Sequence, residues 1–360
     1  MLTVIHAADF HLDSPFAALT AEQALLRRKE QRALLSELRE AAQGADLTLL
    51  SGDLLDSSLC HRETAEALEE FLNALPGEVF LAPGNHDYYA PLSPYFHMEL
   101  RENVHLFRNP DLTAVPLPAL GVTVWGAAFT SARSKGLLHG FSAPKDGSRH
   151  IMVLHGDVDP VSGEYGPITE KEIAESGLSY LALGHVHGCS GLKRSGNTCW
   201  AYPGCLMGRG FDELGPKGFL RVTLDGEDCE ANFIPLSGRQ YHILPVNVTD
   251  APDLPSAVRA ALPEDAGEHI FRILLRGEWA EKPDLRLLSE LLSADCWQLE
   301  LRDETRIRRD VWEDVSEDSL RGCFLRILKD RYEAASGPER EKIMLAARFG
   351  LAALDYREEL

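Results

Sequence analysis

The chain has 360 residues, of which 44% are hydrophobic and 26% charged, and its formal net charge is −20. This length and balance describe two to three globular domains with sizeable cores, and no apolar run approaches the ~18–20 residues that cross a bilayer, so a membrane protein is not expected. The acidity argues against a simple nucleic-acid binder, which usually presents a basic surface.

The N-terminus goes directly into an apolar run at 4–8 with no basic stretch ahead of it. No signal peptide is expected, and the cytoplasm is the default location. That run stops at Asp9-Phe10-His11. An amphipathic helix is predicted over 20–43, with Leu25, Leu26, Ala33, Leu34 and Leu38 on its apolar side and Arg27, Arg28 and Lys29 among the polar positions. A second apolar run, 47–50, stops at Gly52-Asp53. A helix over 62–75 follows, with Ala65, Leu68 and Leu72 inward, and a third run at 79–82 stops at Gly84-Asn85-His86-Asp87. From 104 the strands shorten, with 115–117 and 122–125 flanking a turn near Pro118 and Gly121. Two more apolar runs, 151–154 and 180–183, stop at His155 and at Gly184-His185-Val186-His187. The mixture of strands and helices suggests two facing sheets with helices outside.

From about 240 the pattern changes. Strands are expected at 241–248, 269–275 and 297–301, with helices at 254–262 and 283–292 between them, and no ligand-type cluster. From 316 onward the chain reads as helical. Leu320, Phe324, Leu328 and Tyr332 recur every four residues, and Pro338 opens a second helix carrying Ile343, Ala347, Leu351 and Leu354. Such a pair packs on its own domain or docks a partner helix. The expected domains are 1–238, 239–310 and 311–360. The seven cysteines are odd in number and include no Cys-x-x-Cys pair, so reduced thiols are expected.

Buried strands read as continuous apolar runs, and in α/β sheets ligands bind beyond their carboxyl ends. Five clusters distant in sequence can therefore converge. Carboxylates and imidazoles together suit hard or borderline divalent ions. Two ions ~3.5–4 Å apart clamp the attacking and leaving oxygens of a phosphodiester, and Asp53, alone at its strand end, suits a bridging carboxylate. His6, His97, His105, His139 and His150 stand outside these clusters and are read as structural.

Asp9-x-His11, Gly52-Asp53-x-x-Asp56, Gly84-Asn85-His86-Asp87, His155 and Gly184-His185-x-His187 reproduce, in order, the five motifs of the calcineurin-like metallophosphoesterases. The resemblance covers about the first 220 residues. It implies an α/β fold, a four-layer αββα sandwich, here with a small α/β cap domain and a helical tail. It also implies that Asp9, His11, Asp53 and His187 hold one metal, and that Asp53, Asn85, His155 and His185 hold the other. His86 would be the catalytic histidine, oriented by Asp56 or Asp87. Two divalent ions, Mn²⁺ foremost, would carry a bridging hydroxide that attacks phosphorus in line.

Three further stretches resemble the SbcD-type DNA repair exonucleases and their YhaO-like relatives. They are Ile5-His6-Ala7-Ala8-Asp9-Phe10-His11-Leu12-Asp13-Ser14-Pro15-Phe16, Asn103-Val104-His105-Leu106-Phe107, and Tyr202-Pro203-Gly204 with Gly208-Arg209 and Gly215-Pro216-Lys217-Gly218. That resemblance implies a DNA exonuclease partnered by an SMC-like ATPase, with a homodimer as a further option. In it the cap shapes DNA access, the tail grips the ATPase, and Arg209 and Lys217 contact phosphates. Cys205-Leu206-Met207 departs from the family, where a small polar residue, proline and a polar side chain are usual. The alternative is a phosphodiesterase or phosphatase acting on nucleotides or other small phosphate esters, which the net charge favours.

Overall fold

The computed structural model describes residues 1–57, 59–160, 163–308 and 310–354. Its elements begin with β1 (Leu2–Ala7), α1 (Ala21–Ala41), β2 (Leu47–Leu50), α2 (Arg62–Ala74), β3 (Glu78–Leu81) and β4 (Val104–Leu106). Next come β5 (Thr113–Leu117), β6 (Val122–Gly126), β7 (Arg149–His155), α3 (Glu170–Glu175), β8 (Tyr180–Gly184), β9 (Lys193–Ser195) and β10 (Thr198–Ala201). The chain continues with β11 (Gly218–Asp225), β12 (Asp228–Pro235), β13 (Tyr241–Asn247), α4 (Leu254–Ala261), β14 (Ile270–Trp279), α5 (Leu285–Leu291), β15 (Gln298–Ile307), α6 (Leu320–Ala334) and α7 (Pro338–Leu354).

The first sheet has the order β12-β11-β1-β2-β3-β4, parallel from β1 to β4 and antiparallel at β11 and β12. The second has the order β5-β6-β7-β8-β10-β9, with parallel neighbours from β6 to β10 and antiparallel edges. Side chains alternate across a strand, and this sorts the core into layers. Leu2, Val4, Leu47, Leu49 and Phe80 meet Val124, Ile151, Val153, Tyr180 and Ala182 between the sheets. Ile5, Ala7, Leu50, Val79 and Leu81 point the other way, onto Leu34 and Leu38 of α1 and Leu68 and Leu72 of α2. Met152, Leu154, Leu181 and Leu183 cover the outer side of the second sheet with Ile173 of α3. The result is the αββα sandwich that the resemblance implied. Because the central strands are covered on both faces, they read as unbroken apolar runs.

The buried face of α1 differs from the one its leucines suggested. Ala24, Arg27, Gln31, Leu34, Leu35 and Leu38 are buried, while Leu25 and Leu26 are exposed. Arg27 is carried inward by two aromatic rings, Phe16 and Tyr241, 5.6 and 5.9 Å from its guanidinium carbon. Its charge is met by Glu30 at 2.7 Å. The helix begins where Thr20 and Gln23 form a reciprocal capping box.

The chain packs as two compact units, one of Met1–Ile243 with Glu268–Phe271 and one of Leu244–Gly267 with the residues from Arg272 onward. A third sheet has the order β13-β14-β15. Within the second unit α6 and α7 pair around Leu325 and Ala347, with Phe324, Leu328, Met344 and Leu351 packed against them. Leu320, in the first turn of α6, is exposed. Positions 355–360 of the expected tail lie outside the described residues. Among the described residues no helix is long and apolar enough to cross a membrane, and the seven cysteines are free thiols.

Candidate metal centre

Each of the five apolar runs delivers its polar cluster to the same end of the sandwich. Asp9 and His11 follow β1, Asp53 follows β2, Asn85 and His86 follow β3, His155 ends β7, and His185 and His187 follow β8. The loops after β1 and β2 run side by side: Asp9 N–H donates to Gly52 O (3.0 Å), His11 N–H to Asp53 O (2.9 Å) and Asp56 N–H to Leu12 O (3.0 Å). The sheets are tied together at this end. His155 Nδ1–H donates to Ser51 O at 2.9 Å, and the His185 N–H lies 3.1 Å from both Asp9 carboxylate oxygens. Asp9, His11, Asp53 and His185 all have positive φ, at 55°, 46°, 53° and 108°. Such backbone is costly for residues with a Cβ and persists where surrounding structure enforces it, commonly at functional sites.

Two donor sets form. In the first, His11 Nε2 and His187 Nε2 face each other at 3.1 Å, with Asp9 Oδ1 4.0 Å from His187 Nε2 and Asp53 Oδ2 3.9 Å from His11 Nε2. In the second, Asn85 Oδ1 lies 2.9 Å from His155 Nε2 and 3.2 Å from His185 Nδ1, and Asp53 Oδ2 is 3.4 Å from His155 Nε2. Asp53 therefore stands between the two. His86 sits beside them on the open side, its N–H on Asp53 Oδ1 at 2.9 Å and its Nδ1–H donating to the Asp56 backbone carbonyl at 2.9 Å.

Neither of the two carboxylates expected to orient His86 bonds its ring, which is held by the Asp56 backbone carbonyl. The Asp56 carboxylate instead faces His11 Nδ1 (3.3 Å), the Ser14 hydroxyl (3.0 Å) and Arg209 (3.1 Å). The Asp87 carboxylate is fully buried. It accepts from the Gly84, Asp53, Leu54 and Leu55 N–H groups and from the Tyr95 hydroxyl, binding the β2 and β3 loops into one piece.

Burial and then the neighbouring Asp53 charge push the Asp9 carboxyl well above the ordinary carboxylate range. Asp53 and Asp87 are pushed the same way, first by burial. Burial drives His11, His155 and His185 each down to about 4, so these imidazoles are neutral near pH 7 and offer lone pairs. Burial would also raise Asp56, but His11, Ser14 and Arg209 outweigh it and hold that carboxyl below its usual range.

Residues 2–189 match the sequence model of the calcineurin-like phosphoesterases, more than half of the 360-residue chain and all of these donor residues. The chain belongs to this family. It is also similar to an uncharacterized metallophosphoesterase, YhaO, of Bacillus subtilis (strain 168), 28% identical over an alignment covering 84% of this chain and 82% of that one. The activity that follows from the family is metal-dependent hydrolysis of phosphate esters.

The donor chemistry of this metallophosphoesterase fits divalent cations. The tautomers that place one proton on His187 Nδ1, toward Glu213 at 2.7 Å, and one on His11 Nδ1, on the side of the Asp56 carboxylate at 3.3 Å, leave both Nε2 atoms with lone pairs facing each other. Two lone pairs at 3.1 Å repel unless a cation lies between them, and two imidazoles on one ion at ~2.0–2.1 Å stand about that far apart. Among the described residues, three groupings of histidine and aspartate bring their donor atoms within 4.8 Å of one another: Asp9, His11 and His187; His11, Asp53 and His86; and Asp9, Asp53 and His155.

Of the two cationic side chains read as phosphate contacts, Lys217 rests its Nζ 3.4 Å from the His187 carbonyl. Arg209 is enclosed between Glu213 and Asp56. Glu213 carried no signal in the sequence, because it belongs to no motif and lies in a loop 26 positions after His187. Burial would raise its carboxyl, but His187 and Arg209 hold it well below the usual carboxylate range. His6 is structural, bonded to the Tyr180 hydroxyl (2.8 Å), Ser51 (3.1 Å) and the Leu183 carbonyl (3.2 Å) between the sheets.

Proposed function

We propose that this metallophosphoesterase is a two-ion phosphodiesterase acting on DNA as an exonuclease, the cytoplasmic nuclease subunit of a repair complex with an SMC-like ATPase. The observation that carries the hydrolytic part is the convergence of five strand ends on two facing donor sets, with His86 at their open side. Asp9, His11, Asp53 and His187 would hold one ion and Asp53, Asn85, His155 and His185 the other, and Mn²⁺ suits the mixture of carboxylate, amide and imidazole donors. When bound, such ions offset charge on the phosphoryl oxygens and make water acidic enough to attack near neutral pH.

The chain's own residues supply the rest. With Nδ1–H donated to the Asp56 carbonyl, His86 keeps Nε2 free to carry a proton toward the leaving oxygen. As the phosphorus–oxygen bond to that group breaks, the proton satisfies the alkoxide. Asp87, by accepting from four backbone N–H groups, holds Asp53 and His86 in register so that His86 meets the bond it serves.

DNA as the substrate draws on the resemblance in the flanking segments. In this reading 1–238 is the nuclease domain, 239–310 shapes access to it, and 311–360 docks the ATPase. The exposed Leu320, Ile327, Leu345 and Phe349 of α6 and α7 support a docking role. A partner with a basic surface would also offset the net charge of −20. That charge favours the second reading, hydrolysis of small phosphodiesters or phosphomonoesters. Assays with Mn²⁺ on linear DNA, cyclic nucleotides and p-nitrophenyl esters separate the two. Release of nucleotides from DNA ends, lost in His86→Ala and Asp53→Ala, is expected. Turnover of only the small esters would favour the second reading, and full activity in both variants would overturn the site.

A further inference from the structure

Arg209 and Glu213 lie between β10 and β11, outside every motif that supplies a donor, yet they meet His187 directly and reach His11 through Asp56. Glu213 is buried and its Oε1 is 2.7 Å from His187 Nδ1. Arg209 grips Glu213 from its main-chain N–H (2.8 Å), its Nε (3.3 Å to each oxygen) and its second terminal nitrogen (2.7 Å), which also lies 3.1 Å from His187 Nδ1. Its first terminal nitrogen reaches Asp56 Oδ1 at 3.1 Å, the oxygen that faces His11 Nδ1. One guanidinium therefore joins the two carboxylates standing behind the two imidazoles whose Nε2 atoms face each other. The described bonds of Arg209 and Glu213 do not reach Asn85, His155 or His185, where the ring of His155 is set by the Ser51 carbonyl instead.

The segment that presents this pair is itself fixed at both ends. The buried Arg27 donates to Gly208 O at 2.9 Å, and Gly215 N–H donates to Tyr241 O at 3.1 Å. Phe211 packs edge-on against Tyr241, with ring centroids 5.1 Å apart. A support held this firmly can define the angle at which a donor ring meets its ion. Arg209 with its positive charge spread over two carboxylates is also a poor isolated grip for a phosphate, since the three side chains sum to a negative charge.

We propose that Arg209 and Glu213 are positioning residues that set the affinity of one ion position, the His11–His187 side, and leave the Asn85–His155–His185 side unaffected. The proposal rests on the two-ion reading above and assigns Arg209 to the ion site in place of the substrate backbone. Carboxylate partners behind metal-binding histidines commonly account for about 10–100-fold in metal affinity.

The test is calorimetric titration of the metal-free full-length chain with Mn²⁺ alone, for the native protein, Glu213→Gln and Arg209→Lys. Melting temperature in chelator serves as the folding control. Two ions are expected on the native chain. In both variants one ion should weaken at least about tenfold while the other keeps its affinity. Turnover of the variants should fall at limiting Mn²⁺ and recover at saturating Mn²⁺, with the substrate KM unchanged. Two unaltered Mn²⁺ affinities in folded variants, with a raised KM, would overturn the proposal and make Arg209 a substrate contact. A native chain that binds fewer than two ions would overturn the two-ion reading itself, and this proposal with it.

Discussion

Gly84 shows how little freedom the donor residues have. A Cβ there would run into the Asp53 carboxylate and come within 2.8 Å of the Asp53 backbone nitrogen. Gly52, with φ at +84°, is equally confined, since a Cβ would lie 2.7 Å from His155 Nδ1. Gly84→Ala should fold yet lose about 100-fold or more in turnover, because displacing a reacting group by an ångström costs that much. Near-native turnover together with native Mn²⁺ affinity would refute the argument. His6 carries a different expectation, about acid. Its folded-state pKa is lowered by burial to about 3, against 6.5 in the unfolded chain. Between those values the unfolded chain binds a proton that the folded ring refuses, so stability is lost as the pH falls, by about 1.4 kcal/mol per unit for one such group. His11, His155 and His185 add to the same slope in the metal-free protein. Urea titrations between pH 6.5 and 4 should therefore show a shallower decline in His6→Gln than in the native chain, by about one proton. The donor residues were legible in the sequence because each is a polar residue standing where an apolar run ends. Glu213 was not, since nothing local distinguishes a carboxylate that meets His187 only after the chain has crossed β9 and β10.

Strands were easier to read than helix faces. β1, β2, β3, β7 and β8 are covered on both sides, so their boundaries coincide with the ends of apolar runs in the sequence. The sorting of alternate residues into two cores, Val4 between the sheets and Ile5 under α1, needed the fold, because both are equally apolar. In α1 the apolar residues alone misled: two leucines face water while an arginine and a glutamine are buried. Gln31 earns its place through Nε2, which donates to the His11 carbonyl at 2.9 Å and so steadies the first metal loop. Arg27 does the same for Gly208. A helix that carries such supports cannot be assigned a face by hydropathy. The corrected face makes a direct prediction. Leu38→Ala, at a fully buried position, should cost about 2–5 kcal/mol. Leu25→Ala should stay within about 0.5 kcal/mol of the native chain. Urea midpoints measured side by side decide it, and similar losses for both would restore the face that the leucines suggested.

Over the whole molecule, the ion site is a cost that the rest of the fold carries. Asp9, Asp53 and Asp87 are buried within one cluster, and each is pushed up by burial and by a neighbouring carboxylate or, for Asp53, held in check only partly by nearby histidines. A carboxyl whose folded pKa is raised adds stability only below its unfolded value, so at pH 7, above that value, these three groups weaken the metal-free fold. Divalent ions that bind the folded chain reverse this, by about 2.7 kcal/mol at a free concentration one hundred times the dissociation constant. Melting temperature should therefore rise with Mn²⁺ and fall with chelator. Asp53→Asn separates the two effects. Its amide oxygen can still accept the His86 N–H bond that Asp53 Oδ1 accepts now, while the carboxylate charge between the two donor sets is gone. The variant should match or exceed the native melting temperature in chelator and lose most of the gain from Mn²⁺, with hydrolysis abolished. A variant that melts well below the native chain in chelator would show that Asp53 stabilises the fold in its own right. A variant that keeps the full Mn²⁺ shift would show that the ions are held elsewhere.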